Sequence, residues 1–238
     1  MSDTFIDWKR DRWAGLVAVT CALLLAACAT TQQADLKSAL VRPTSAKLTP
    51  GTEGQAALRY VNPAAEWTRY KKVIVRPVTF WGDEQSKVST EDQQALVNYF
   101  YRALDEELAK KFQIVHRPGP DVLNLEVTVT DVEAATPALR SISMALPQAR
   151  LLATLKRGVS GSYPFVGGAQ AEFTITDSMT NDILAVGVDR RIGGGSISTV
   201  GVWRWGDAEN AMREWANLLA ERLSVSTTGA AKSSGAES

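Results

Sequence analysis

The chain has 238 residues, of which 45% are hydrophobic and 22% are charged, as in an ordinary globular protein. The 26 basic residues balance the 26 acidic residues, so the formal net charge at pH 7 is zero. This balance argues against a nucleic-acid partner, because binding to phosphates requires a net basic face. The single histidine, His116, argues against a histidine-based metal site, and we expect neither a metal nor another cofactor.

The N-terminal segment has the charge and length pattern of a secretory signal. Lys9, Arg10 and Arg12 precede an uncharged run from Ala14 to Ala27. This run is too short for a helix across the bilayer core, which needs about 20 apolar residues, but it suits the apolar region of a signal peptide. We therefore predict that residues 1–27 are a signal peptide.

The apolar run ends in Leu25-Ala26-Ala27-Cys28, which resembles the lipobox of bacterial lipoproteins. The resemblance implies cleavage before Cys28, a diacylglyceryl thioether on its sulfur and a further acyl chain on the new amino group. More than one acyl chain gives stable anchoring. In such lipoproteins of enteric-type bacteria, Asp directly after the cysteine favours retention at the inner membrane. Ala29 stands at this position, so the resemblance implies the inner leaflet of the outer membrane, facing the periplasm. An ordinary cleaved signal and an uncleaved anchor are the alternatives.

Composition divides the rest of the chain into three parts. Residues 28–56, behind the lipidated cysteine, are rich in Thr, Gln, Ser, Pro and Gly and are predicted to form a flexible tether. Residues 57–224 have the length of one domain with a single core. Residues 225–238 are dominated by Ser, Thr, Gly and Ala without periodicity, and we expect them to be disordered.

Two helices are predicted in this domain. Thr90 and Gln93 form a capping-box pattern at the start of the first helix, which extends to about Lys111. Its apolar stripe recurs every four residues, at Leu96, Phe100, Leu104 and Leu108. Asp207 is predicted to cap the second helix, which extends to about Leu223.

Five strands are predicted, mainly from the alternation of apolar and polar residues. They are 72–78, 112–115, 122–132, 170–177 and 183–192. The last two form the clearest hairpin, while residues 137–157 are interpreted as two short helical turns. Short connections indicate a mostly antiparallel sheet. The sequence thus predicts an α+β fold, a two-layer sandwich of about five strands with two amphipathic helices on one face.

The C-terminal half carries a resemblance to a known family. The stretch VGGAQAEFTITDS at 166–178 is followed by ILAVGVD at 183–189, and then by Trp205 and Trp215-Ala216. A strand ending in Asp-Ser, a turn, a second strand, a Gly-rich loop and a Trp-bearing helix resemble the bacterial lipoproteins of domain of unknown function 3313. The resemblance covers most of residues 30–223, and it implies a cellular address and a fold but no catalytic residue.

The residue types and their spacing in the mature chain do not indicate a catalytic site. His116 lies between a strand and a proline-rich turn and is interpreted as an exposed turn residue. The run Gly193-Gly194-Gly195 lacks the spacing of a phosphate-binding loop. Asp177, Asp182 and Asp189 bracket the hairpin, where paired carboxylates would suit acid–base chemistry or a cation, although Asp in a turn normally bonds its own backbone.

The candidate partner surface is Trp203-Arg204-Trp205. In an extended segment the two indoles lie on one side and Arg204 on the other. They would form an aromatic platform for a glycan, a peptide or a protein partner. In the alternative interpretation, the indoles pack over the sheet edge before the last helix.

Three functional hypotheses follow. The leading one is a non-enzymatic binding or structural lipoprotein of the bacterial envelope, held to membrane lipid through the acylated Cys28, with an envelope protein or peptidoglycan as its partner. The second is a periplasmic hydrolase that uses carboxylates. The third, which rests on analogy of fold alone, is an accessory subunit of an envelope secretion or transport assembly.

Overall fold

A computed structural model describes residues 31–37, 44–81, 88–134, 167–193 and 204–229. These ranges belong to one compact unit. Within them the fold is α+β, as predicted, with two α-helices and one mixed sheet of nine strands. The predicted signal peptide, Cys28 and the predicted helical turns at 137–157 lie outside the described residues.

The strands are β1 (Gln32–Gln33), β2 (Thr49–Pro50), β3 (Leu58–Val61), β4 (Lys72–Val75), β5 (Thr79–Phe80), β6 (Gln113–Ile114), β7 (Val122–Glu133), β8 (Gly168–Asp177) and β9 (Ile183–Ile192). The helices are α1 (Thr90–Ala109) and α2 (Gly206–Thr228), and a short 3₁₀ helix spans Trp67–Arg69. The sheet order is β2-β3-β9-β8-β7-β4-β6, with β1 paired to β9 and β5 paired to β7. The prediction of about five strands was therefore too low, because it missed the short strands β1, β2, β3 and β5.

The sheet is antiparallel on one side and parallel on the other. Strand β4 runs parallel to β6 and β7, and β5 runs parallel to β7. Helix α1 lies between β4 and β6 in the chain, and a helix is the usual connection between parallel strands. The other pairs, including the predicted hairpin of β8 and β9, are antiparallel. The predicted sheet did not include this crossover, because short connections indicate antiparallel neighbours.

Both helices share one core with the sheet. All four residues of the predicted α1 stripe are fully buried. Phe100 of α1, Phe173 of β8 and Trp215 of α2 pack together, with ring centroids between 5.7 and 6.2 Å apart. Aromatic contacts of this kind contribute about 0.5–1.5 kcal/mol beyond the burial of their area. The division into two layers stays a prediction.

The start of α1 differs from the prediction by one residue. Ser89 precedes the helix in an extended conformation, and its hydroxyl accepts a hydrogen bond from the backbone N–H of Asp92 at 3.1 Å. The cap is therefore Ser89 and not Thr90. The capping box is also absent, because the side-chain amide of Gln93 donates to the carbonyl of Val88.

Helix α2 begins earlier and ends later than predicted. Trp205 precedes it, so Asp207 lies in the first turn and is not the cap. There the buried carboxylate of Asp207 accepts a hydrogen bond from the backbone N–H of Gly167 at 2.8 Å. The helix continues to Thr228 and ends at Gly229, whose positive φ of 77° suits glycine. Residues 225–228, assigned above to a disordered tail, are thus helical. Among the described helices, none combines the length and the apolar character needed to cross a membrane.

Candidate binding cleft

A cleft of about 210 Å³ opens between β3, β9 and the second half of α2. Apolar side chains of the sheet and the helix line it, among them Phe173, Ile175, Ala185, Leu219 and Leu223. Gly187 also lies in the lining, and a Cβ at this position would stand 3.3 Å from the Cβ of Ala56. The absence of a side chain at Gly187 therefore keeps this part of the cleft open. An apolar pocket with a few polar groups is the usual form of a small-molecule site.

Asp189 lines the cleft, although its side chain is almost fully buried. Its Oδ1 accepts hydrogen bonds from the side-chain amide of Gln33 at 2.5 Å and from the backbone N–H of Ala57 at 3.1 Å. Its Oδ2 accepts from Nε of Arg191 at 3.1 Å and from the indole N–H of Trp215 at 2.8 Å. A buried carboxylate requires such partners. The carboxylate thus binds four donors from four parts of the chain. Because it links these parts, we regard Asp189 as a structural centre.

Residues 31–37, assigned above to a flexible tether, lie along the sheet. Strand β1 pairs with the end of β9 in antiparallel register. The hydroxyl of Thr31 accepts a hydrogen bond from the guanidinium of Arg191 at 3.1 Å. The backbone N–H of Ala34 donates to the carbonyl of Arg190 at 2.9 Å, and Ala34 is buried. The chain is therefore fixed to the sheet from its first described residue.

Lys37 holds the other end of this segment. Its Nζ lies 2.6 Å from Oδ2 of Asp131 and 2.8 Å from Oε1 of Glu133. Its backbone N–H donates to Oε1 of Gln170 at 2.8 Å. Burial disfavours the charge on Lys37, but the two carboxylates outweigh this cost and raise the pKa of the ammonium group. Burial likewise opposes ionisation of Glu133, yet Lys37 and Arg190 hold its pKa below the usual value.

Three of the described lining residues are arginines: Arg59, Arg191 and Arg222. Arg191 belongs to the buried network around β1. Arg59 donates from Nη1 to the side-chain oxygen of Gln55 at 2.7 Å, and Arg222 donates from Nη2 to the carbonyl of Gly54. Within the described ranges, neither Arg59 nor Arg222 forms an ion pair with a carboxylate.

Asp177, at the end of β8, organises the hairpin turn. Its carboxylate accepts hydrogen bonds from the backbone N–H groups of Met179 at 2.8 Å and Thr180 at 3.0 Å. It also accepts from the hydroxyl of Tyr70 at 2.9 Å and from the guanidinium of Arg69. Burial opposes ionisation of Asp177, but these donors outweigh it and hold the pKa of the carboxyl below its usual range. Burial, followed by the hydrogen bond to Asp177, raises the pKa of Tyr70 to about 12.

We expect Asp177→Asn to lower the free energy of unfolding at pH 7 by about 1–2 kcal/mol, because Tyr70 loses a charged acceptor. The pKa of Asp177 is lower in the folded state than in the unfolded state. The carboxylate therefore contributes fully to the free energy of unfolding above its unfolded pKa of about 4, and this contribution is lost as the pH falls through the folded pKa. The pKa of Tyr70 is raised in the folded state. Its neutral hydroxyl therefore contributes fully to the free energy of unfolding below the unfolded pKa of about 10, and this contribution is lost as the pH rises towards about 12.

Urea unfolding between about pH 2 and pH 7 measures this difference. The gap in unfolding free energy between wild type and Asp177→Asn should shrink towards acid pH. Asp182→Asn, in the same turn but exposed, is the matched control and should change stability by less than about 0.5 kcal/mol. A gap that is independent of pH would contradict the assignment of the stabilisation to the carboxylate.

The three carboxylates of the hairpin do not form one site, and Asp177 bonds the backbone of its own turn, as expected for Asp in a turn. Asp177 and Asp182 lie at the turn, whereas Asp189 pairs with Ala171, six residues before Asp177 on β8 and therefore about 20 Å away along the strand. His116 is exposed in its turn, as predicted. In the part of the chain that the structure describes, no three His, Cys, Asp or Glu residues are grouped to hold a metal ion.

Trp205 does not contribute to an exposed aromatic platform. This indole is only 2% exposed and belongs to the core, because the residue before α2 turns inward. The interpretation that the indole packs against the protein is therefore confirmed for Trp205. Arg204 is half exposed, stacks 4.7 Å from the centre of the Trp205 ring and lies 2.5 Å from a carboxylate oxygen of Asp92. Trp203 lies outside the described residues, as do Gly194 and Gly195.

Neither the role of Asp189 nor the cleft beside it was predicted from the sequence. One signal was available: Asp189, Arg190 and Arg191 are consecutive charged residues inside a predicted strand. All three are buried in the structure. Buried charges need partners, so such a run in a strand indicates an ionic network. The cleft left no comparable signal in the sequence.

Comparison with known proteins gives the family. The family model described as "Protein of unknown function (DUF3313)" matches residues 37–219. The "Uncharacterized lipoprotein YdcL" of Escherichia coli (strain K12) is 26% identical over 129 residues, which are 52% of this chain and 58% of that protein. The chain thus spans little more than half the length of this relative.

Two solved structures are similar to this chain at low identity and low TM-score. The PelC dodecamer from Paraburkholderia phytofirmans is 11% identical, with a TM-score of 0.35 over 67% of this chain and 95% of that chain. A protein of the DUF330 family from Xanthomonas campestris is 12% identical, with a TM-score of 0.39 over 73% and 94% of the two chains. The match to the family model covers most of the chain and confirms the resemblance found in the sequence: the chain belongs to the DUF3313 family.

Proposed function

We propose that this protein is a lipid-anchored lipoprotein of the bacterial envelope, whose domain binds a small apolar or amphiphilic molecule in the cleft. Cys28 carries the acyl chains, and the domain faces the periplasm from the inner leaflet of the outer membrane. The cleft is the observation that carries the binding function. Its apolar lining is built by β3, β8, β9 and α2, and of the described lining residues only Asp189 is a carboxylate.

The anchor is supported by the lipobox and by a relative that is itself called a lipoprotein. Cys28 precedes Thr31, the first residue fixed to the sheet, by three residues. Three residues reach about 10 Å at most. An acylated Cys28 would therefore hold the domain against the membrane surface, with the cleft close to lipid.

The hydrogen bonds that the carboxylates already accept favour a binding function over hydrolysis. Asp189 is the one carboxylate among the described lining residues of the cleft, and each of its oxygens already accepts two hydrogen bonds. A general base needs an oxygen within reach of a substrate proton. Asp177 is similarly occupied by four donors and lies at the far end of the hairpin. The arrangement gives the carboxylate hydrolase hypothesis no support.

Photo-crosslinking in intact envelopes tests the binding function. Leu218 lines the cleft and is half-buried, whereas its neighbour Asn217 is exposed and does not belong to the lining. Replacing Leu218 by a photo-crosslinking residue should give a small-molecule adduct, detected by the intact mass of the protein. The same replacement at Asn217 is the control. No adduct at Leu218, or equal adducts at both positions, would contradict a binding cleft.

A further inference from the structure

We infer that the cleft takes a single-chain lipid with a carboxylate head, a free fatty acid, and that Arg59 and Arg222 bind the head. The inference rests on the proposed binding function and adds the chemical class of the ligand. Three features of the described residues carry it: the size of the cleft, its apolar lining and the position of the two guanidinium groups.

The size and the lining suit one alkyl chain. The volume of about 210 Å³ lies below the range of roughly 300–1,000 Å³ for drug-sized pockets. Ile175, Ala185 and Leu219 present hydrocarbon from the sheet and the helix, so an alkyl chain placed between them is shielded from water on both of these sides. A diacyl phospholipid would need room for a second chain.

The two guanidinium groups lie at the same end of the cleft. Arg59 contacts Gln55 and Arg222 contacts Gly54, and these are adjacent residues of the loop before β3. Each arginine makes one side-chain hydrogen bond within the described ranges, although a guanidinium carries five donors. The remaining donors can form the paired hydrogen bonds that a carboxylate accepts.

The surrounding acids do not neutralise this end. Asp189 is paired with Arg191 and is hydrogen-bonded by three other donors. Glu53 is exposed and, in the described structure, forms no ion pair with Arg59 or Arg222. An apolar cleft with two cations at one end is complementary to an alkyl chain with one anionic end.

Photoreactive lipid probes test this inference on the full chain in its own membrane. Three probes share one alkyl chain with a diazirine and differ in the head group: a carboxylate, an alcohol or a trimethylammonium. After irradiation, mass spectrometry measures labelling of the peptides that line the cleft. We expect the carboxylate probe to label these peptides about fivefold to tenfold more than the trimethylammonium probe, as charge-assisted hydrogen bonds would give.

Variants separate a charge effect from a loss of folding. Arg59→Gln and Arg222→Gln should each lower the carboxylate preference at least about threefold, while labelling by the alcohol probe stays as in the wild type. The double variant Arg59→Glu/Arg222→Glu should prefer the trimethylammonium probe, a reversal that unfolding cannot produce. Arg102→Gln, an exposed arginine on α1, is the matched control and should retain the wild-type preference.

The possible results distinguish failure of the fatty-acid inference from failure of the proposed binding function. Equal labelling by the three probes, a preference that survives in both arginine variants, or no labelling of the cleft peptides would overturn the inference. An adduct of another chemical class at Leu218 in envelopes, together with equal probe labelling, would retain the binding function while rejecting the fatty acid. Loss of both signals would reject both proposals.

Discussion

Replacing Asp189 by alanine is expected to lower the free energy of unfolding by about 3–5 kcal/mol. The substitution removes the nearer carboxylate of the buried Arg191 guanidinium and leaves only that of Glu214, at 4.0 Å, among the described residues. A buried charge that loses its close partner is strongly destabilising. The amide of Gln33, the N–H of Ala57 and the indole of Trp215 also lose an acceptor. A loss of this size is a large fraction of the roughly 5–15 kcal/mol by which domains are stable.

Urea unfolding followed by fluorescence measures this loss, and native-state hydrogen exchange locates it. The N–H of Ala34, bonded to the carbonyl of Arg190, should exchange faster in Asp189→Ala because the side-chain contact that fixes β1 is gone. Asp35→Ala, an exposed carboxylate in the same segment, is the control and should cost less than about 0.5 kcal/mol. A loss of less than about 1 kcal/mol for Asp189→Ala would contradict its role as the structural centre.

Removing the proposed lipid site at Cys28 should have the largest effect on where the protein resides. Cys28→Ser lacks the sulfur that would carry the diacylglyceryl group, so acylation should fall to background. The uncharged run from Ala14 to Ala27 is shorter than the roughly 20 residues of a membrane-spanning helix. We therefore expect alkaline extraction to release Cys28→Ser from membranes, with the retained fraction falling about tenfold or more, whereas the wild type stays bound.

Local patterns in the sequence predicted the central elements well. The period of α1 placed all four stripe residues in the core, because one face of a helix repeats every three to four residues. The hairpin strand 183–192 has the predicted bounds, since turn chemistry at 178–182 fixes the register between β8 and β9. These features depend on neighbours in the chain, so the chain itself reveals them.

The docking of residues 31–37 could not be predicted in the same way. Gln32 and Gln33 are polar and exposed, and they are held by backbone pairing to β9 about 160 residues away in the chain. Such an edge strand needs no apolar pattern, because the ladder bonds are made by the backbone. Composition alone therefore indicated a tether where the structure has a paired strand.

The cleft depends on tertiary structure even more strongly. Its lining comes from the loop before β3 and from β3, β8, β9 and α2, and each contributes residues that have ordinary core or surface patterns. Gly187 looks like any glycine in a strand until Ala56 and Phe173 are placed beside it. Arg59 and Arg222 likewise line the same cleft although they are 163 residues apart in the chain.

The state of Cys28 in the membrane-bound protein tests the central claim most directly. Cells supplied with an alkyne-tagged fatty acid would express the wild type, Cys28→Ser and the control Cys21→Ser, which changes the other cysteine of the chain. We expect tagged protein for the wild type and Cys21→Ser, with an intact mass that shows cleavage before Cys28 and the added acyl chains. A wild type without acyl mass, or a Cys28→Ser variant tagged as strongly as the wild type, would contradict it.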